Sequence, residues 1–299
     1  MCNLIMKSIQ DYITEKMVYN SSNIQKTTFV KTIKELKSLI NETDNKFSLT
    51  NISFEEFEED IFELQREFPR LITTNAKVID VSNWIFGDKI VNIEALFSKN
   101  HNVKEIIGLD TWDVSNIENF GGLFEDCDSI ETIDGIENWN VSKAIKLSGM
   151  FSKCSSLKKL DLSKWNVSNV KYNSMLFAEC KELKEIKGLD KWNTNMFYAC
   201  GLMFKNCSSL EALDLSNWQM GNVQTTNEMF AYCDNLETIG DVSKWDVSNV
   251  KDMSKMFYYC GHLECDCSSW KLHIRCNTYK VSTWTSRRIF NAPKRKIQI

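Results

Sequence analysis

Residues 207–218 read CSSLEALDLSNW and residues 244–260 read KWDVSNVKDMSKMFYYC; together they spell one unit of a repeat. Leu210, Leu213 and Leu215 stand at L-x-x-L-x-L spacing, and two of them lie two apart, so on a strand they share a face. After the tryptophan, V-S-N predicts a turn, because short Ser and Asn side chains bond nearby backbone. Met253, Met256 and Phe257 then fall at i, i+3 and i+4, the spacing of a short helical turn with one apolar face. A unit of strand, turn and short helix buries its apolar side only against its neighbours.

The beat runs through most of the chain. Tryptophans fall at 84, 112, 139, 165, 192, 218, 245 and 270, phenylalanines at 97, 124, 151, 177, 204, 230 and 257, and cysteines at 127, 154, 180, 207, 233 and 260. Asn100 holds the cysteine phase of the first unit. Three residue types in one register predict a solenoid of about seven 26–27-residue units. From Trp to the following Cys of the series is 15 residues in all six pairs, whereas Cys to Trp alternates: 12 from Cys127, Cys180 and Cys233, but 11 from Cys154 and Cys207. The longer versions carry Gly108, Gly135, Gly188 or Gly240, which predicts a bulge that glycine tolerates.

The string MFSKCSSLKKLDLSKWNVSNV, residues 150–170, resembles the BspA-type leucine-rich repeats of the mycoplasma-lipoprotein kind, over about residues 76–270. The resemblance implies a right-handed solenoid with a binding habit and no catalytic residues. The resemblance also implies a surface or adhesive protein, sometimes one that is phage-encoded.

Composition agrees with a folded chain: 299 residues, 43% hydrophobic and 25% charged, with two prolines. A formal charge of −4 argues against a strongly basic nucleic-acid binder, and three histidines leave little for zinc or Ser/His hydrolase chemistry. There is no P-loop, G-x-G-x-x-G, G-x-S-x-G or H-E-x-x-H, so no enzymatic activity is expected. The start, MCNLIMKSIQDYITEK, holds no secretory apolar stretch, and no run of about 18 apolar residues occurs. The expectation is a protein with no membrane contact and reduced thiols, in the cytoplasm of a bacterial or phage-infected bacterial cell.

The expected fold is thus an α/β repeat solenoid, right-handed, divided as a helical N-terminal cap (1–75), a repeat body (76–270) and a basic C-terminal cap (271–299). Helices are predicted over Lys34–Ile40 and Phe54–Phe68, the second with an apolar stripe of Phe54, Phe57, Ile61, Leu64 and Phe68 opposite Glu55, Glu56, Glu58, Glu59 and Asp60. The stripe suits a cover for the first repeat, and the acidic side suits a partner. Residues 271–299 hold eight Lys or Arg and no Asp or Glu, leaving 28 basic against 40 acidic residues elsewhere.

Two groups compete as sites. Cys260, His262, Cys265, Cys267, His273 and Cys276 invite a metal, but Cys265 and Cys267 stand where Leu213 and Leu215 stand in an earlier unit, and no zinc-finger spacing is present. Core packing is expected, with no metal and no cofactor. The partner-binding candidates are the outward acids Asp134, Asp161, Asp214, Asp241 and Asp266 on the strands, and Arg287, Arg288, Lys294, Arg295 and Lys296 at the basic end. The reading is a non-enzymatic module binding a protein partner. The alternatives are a phage or host factor that inhibits a nucleic-acid-handling enzyme through the basic edge, and an exported adhesin.

Overall fold

The computed structural model describes residues 27–43, 45–58, 67, 72, 74–281 and 289–290. Through residues 28–277 of these, successive units lie side by side in parallel register. Most of the short strands line one side, while β1 and β4 form a separate pair: β1 (Thr28–Phe29), β2 (Asn41–Glu42), β3 (Lys46–Ser48), β4 (Ile52–Ser53), β5 (Val78–Asp80), β6 (Glu105–Ile107), β7 (Lys159–Asp161), β8 (Glu185–Lys187), β9 (Cys265–Asp266) and β10 (Ile289–Phe290). Parallel pairing joins β3 to β5 to β6, β7 to β8, β1 to β4 and β9 to β10; only β2 and β3 are antiparallel. Single parallel bridges continue this side from Ala212 to Thr238 to Glu264.

A second row of parallel bridges runs along the other side, through Asn92, Asn119, Lys146, Tyr172, Ala199, Thr225, Asp252 and Asn277. The expected helical turn is not α-helical here. The N–H groups of Leu147, Gly149, Phe151 and Lys153 donate across to the carbonyls of Tyr172, Ser174, Leu176 and Ala178 at 2.7–3.0 Å. The alternate N–H groups, of Met150, Ser152 and Cys154, donate back three residues. That alternation requires left-handed residues at two places per unit, Gly149 and Lys153, then Met175 and Glu179, then Leu202 and Asn206. An i, i+3, i+4 apolar pattern fits such a turn as well as it fits a helix, which is why the spacing misled.

Apolar rows fill the space between the two sides. Phe97, Phe124, Phe151, Phe177, Phe204, Phe230 and Phe257 stack with centroids 5.4–5.8 Å apart and are almost wholly buried. Each tryptophan among the described residues is buried too, and most donate the ring N–H to a backbone carbonyl of the preceding unit, as Trp112 does to Val81 at 2.8 Å. The thiols of Cys127, Cys154, Cys180, Cys207, Cys233 and Cys260 each donate to the phenylalanine carbonyl about 30 positions back, at 2.9–3.1 Å. Asn100 replaces this contact with an amide bonded to Ile72 and Phe97 carbonyls.

Two further expectations are corrected. Three of the four glycines of the longer units start a turn rather than a bulge: Gly108, Gly135 and Gly188, with φ of 94–96°, each open a one-turn 3-10 helix, at Leu109–Thr111, Ile136–Asn138 and Leu189–Lys191, while Gly240 is left-handed at φ 78° without one. A Cβ on Gly188 would sit 2.3 Å from Ser163 Cα, so the unit before it demands glycine. Nor do the described residues of the N-terminal part support a helical cap. Among the described residues Ile33–Ser38 forms α-helix α1, capped by the Thr32 hydroxyl, and Glu67 is helical as well. Around α1 the chain already forms strands that pair into the stack. Phe54 and Phe57 lie in a turn, with Phe54 packed on Trp84 and Phe86, and Ile61, Leu64, Phe68, Glu59 and Asp60 lie outside the described residues.

Candidate functional site

The strand side carries the acids singled out by sequence. Residues flanking a buried strand position point outward, and Asp134, Asp161, Asp214, Asp241 and Asp266 are all exposed. Most serve the turn that follows. Asp161 Oδ1 accepts from Ser163 N–H at 3.0 Å and from its hydroxyl at 2.6 Å, and Asp214 does the same with Ser216 at 3.1 and 2.7 Å. Asp241 and Asp266 accept from Ser243 and Ser268 N–H at 3.0 and 2.8 Å. Asp134, with Gly135 after it, has no such serine and takes a 3.3 Å bond from Thr132. The serine bonds stabilise the ionised form and hold the carboxyls of Asp161, Asp214, Asp241 and Asp266 below the usual carboxylate range.

These acids do not form one patch. Asp134 and Asp161 line a shallow depression with Glu137, Lys159, Glu185 and Lys187, while Asp214 lies in the next one with Lys187, Asp190 and Lys191. From there on the charged residues exposed on the strand row, Glu211, Asp214, Glu237, Asp241, Glu264 and Asp266, are all acidic, with uncharged Ala212 and Thr238 exposed among them. Sign therefore changes along the row, from mixed to acidic. Asp80 extends the row at its start, salt-bridged to Lys46 at 2.6 Å and bonded to Ser82 like its counterparts. Sequence reasoning missed it because its unit precedes the first complete Trp-to-Cys spacing.

The basic candidates Arg287, Arg288, Lys294, Arg295 and Lys296 lie outside the described residues; between them, Ile289–Phe290 pairs with Cys265–Asp266. The cysteine–histidine group is dispersed. Cys265, Cys267 and Cys276 are buried, the first two with sulfurs 3.7 Å apart, and His262 is exposed. Among the described residues no three His, Cys, Asp or Glu side chains are placed to hold a metal ion. Burial pushes the thiols of Cys127 and Cys260 up to about 12, so they are unreactive at neutral pH.

The opposite side holds what sequence reasoning passed over. Of eight tyrosines, Tyr172, Tyr198, Tyr232, Tyr258, Tyr259 and Tyr279 all belong to the second bridge row or the turns beside it. Tyr172 meets Tyr198 edge-on at 6.2 Å, beside exposed Met175 and Met196. Further along, Tyr232, Tyr258 and Tyr259 cluster at 4.5–5.5 Å, and Tyr279 is 60% exposed. Large apolar side chains shown to solvent in a cluster mark contact surfaces. The available signal was tyrosine at positions where earlier units carry Asn, Lys or Glu.

A family model described as "Mycoplasma protein of unknown function, DUF285" matches residues 91–197 and again 183–286. Among solved structures the chain is similar to a leucine-rich repeat protein from Bacteroides ovatus, at 15% identity and a TM-score of 0.30, over 83% of this chain and 72% of that one. No curated protein matches. No helix among the described residues is long and apolar enough to cross a membrane.

Proposed function

The chain belongs to the family described as Mycoplasma protein of unknown function, DUF285, and on that premise we propose that it is a non-enzymatic protein–protein interaction module. Its architecture is proposed to be a right-handed solenoid of BspA-type leucine-rich units, with residues 76–270 as its body, working in the cytoplasm without a cofactor. One observation supports the reading above others: units from Asp134 to Asp266 present a charged side chain at one point of the repeat, and in several of them, Asp161 and Asp214 among these, an Asp–Ser bond leaves the second carboxylate oxygen to a partner. An extended, regularly spaced surface suits a macromolecule better than a small substrate. The partner contact is assigned to the strand side, Asp134 to Asp266.

The experiment is affinity capture with mass spectrometry, followed by titration of the purified captured protein. Asp161→Lys with Asp214→Lys is expected to weaken that partner at least about tenfold with the fold intact by circular dichroism. If Arg287→Glu, Arg288→Glu and Lys296→Glu together abolish binding while the strand variant binds normally, the contact lies at the basic end instead. Failure of any protein to bind the purified chain would overturn the module reading.

A further inference from the structure

We infer that the tyrosine cluster on the last units, Tyr232, Tyr258, Tyr259 and Tyr279 with Lys255 and Lys280, is a second contact surface, and that its occupant is an acidic segment of the protein partner. The inference rests on the interaction-module reading and adds the chemistry of the partner.

The cluster is assembled by the stacking of units, since its rings come from three separate turns. Tyr232 and Tyr259 lie nearly parallel at 5.3 Å, and Tyr258 meets both of them edge-on. Lys255 and Lys280 each place an ammonium 5.8 Å from the Tyr258 centroid, and Lys280 lies 5.3 Å from that of Tyr279. Ammonium groups thus lie over the rings of Tyr258 and Tyr279, and Tyr232 and Tyr259 turn a face to one another. The negative face of an aromatic ring is what a nucleic-acid base or a further cation would need. With those faces engaged, a partner meets ring edges, hydroxyls and ammonium groups, all of which favour negative charge.

Local charge points the same way. Lys271, Arg275 and Lys280 are exposed on the last described turn, which has no acid from 271 to 281. Glu228, nearby, is held by Lys205 at 2.8 Å and Lys255 at 3.5 Å. Asp252 turns one carboxylate oxygen to the Ser254 N–H at 2.9 Å. Tyrosine supplies contact area at low entropic cost, which is why such clusters dominate protein interfaces.

The test uses the full chain and a fluorescein-labelled glutamate-rich peptide with interspersed leucines, read by anisotropy at low and moderate salt. Labelled oligothymidylate is titrated in parallel. The peptide is expected to bind, to weaken with salt, and to lose at least about tenfold with Tyr279→Ala and with Lys280→Glu, both exposed positions that leave thermal stability unchanged. Lys143→Glu, far along the stack, should bind as the parent does. No binding of the peptide, or equal loss with Lys143→Glu, overturns the inference. Tighter binding of oligothymidylate through the same residues replaces the acidic protein with a nucleic acid. If the captured partner binds the parent chain, and Tyr279→Ala and Lys280→Glu bind it normally, this surface falls while the module reading stands.

Discussion

The two sides of the stack hold their backbones differently and tolerate different changes. On the strand side, units that pair share from one to three residues, and the next turn varies: it runs through an Asp–Ser bond in one unit and through a left-handed glycine and 3-10 turn in the next. On the turn side, every second N–H along a stretch of seven residues reaches the following unit. A single insertion there would swap the N–H groups that point across with those that point back. Hence the constant 15 residues from Trp to Cys on one side, and the alternating 12 and 11 on the other. Length is conserved where the bonding pattern has a phase, and drifts where it does not.

The sharpest way to break this comparison is to truncate the core on each side. Phe204 is fully buried between Phe177 and Phe230, so Phe204→Ala should cost about 3–5 kcal/mol, and strand-side Leu213→Ala nearer about 2–3 kcal/mol. Urea melts showing the larger loss at Leu213 would reverse the ranking of the two sides.

Glycine offers a finer test. Gly188→Ala drives a methyl into the Ser163 backbone at positive φ and should cost about 1–3 kcal/mol, whereas Gly149→Ala, also at positive φ, meets Ser152 Cβ at an ordinary 3.8 Å and should cost about 1 kcal/mol. Equal shifts in melting temperature would show that close approach between units is not what selects glycine on the strand side.

The smallest expected effect is a gain. Met175 is exposed and left-handed at the position where two earlier units carry Gly122 and Gly149. Met175→Gly should stabilise by about 0.5–1 kcal/mol, because relief of the left-handed side-chain clash exceeds the added entropy of the unfolded chain. A loss in the same melt would mean that Met175 packs on Tyr172 and Tyr198 strongly enough to outweigh the strain.

Much of the site was legible for a simple reason: an outward strand residue is set by its distance from an inward one. Leu160 and Leu162 place Asp161, and Leu213 and Leu215 place Asp214. Why those aspartates exist was less legible, since D-x-S reads as composition until Ser163 and Ser216 are seen bonding back. The N-terminal strands were hidden because β3 and β4 join the stack without the Trp, Phe and Cys markers of later units.

By itself the sequence determined the repeat, its length, its buried rows and the rigid count on one side, because each follows from residue type at fixed spacing along the chain. Tertiary structure decided the rest: that the apolar turns are left-handed rather than helical, that glycine opens a 3-10 turn, and that tyrosines from Tyr232 to Tyr279 converge. Those depend on the sign of φ and on contacts about 26 residues apart, and an N–H chooses between its own turn and the next only when the next unit is present.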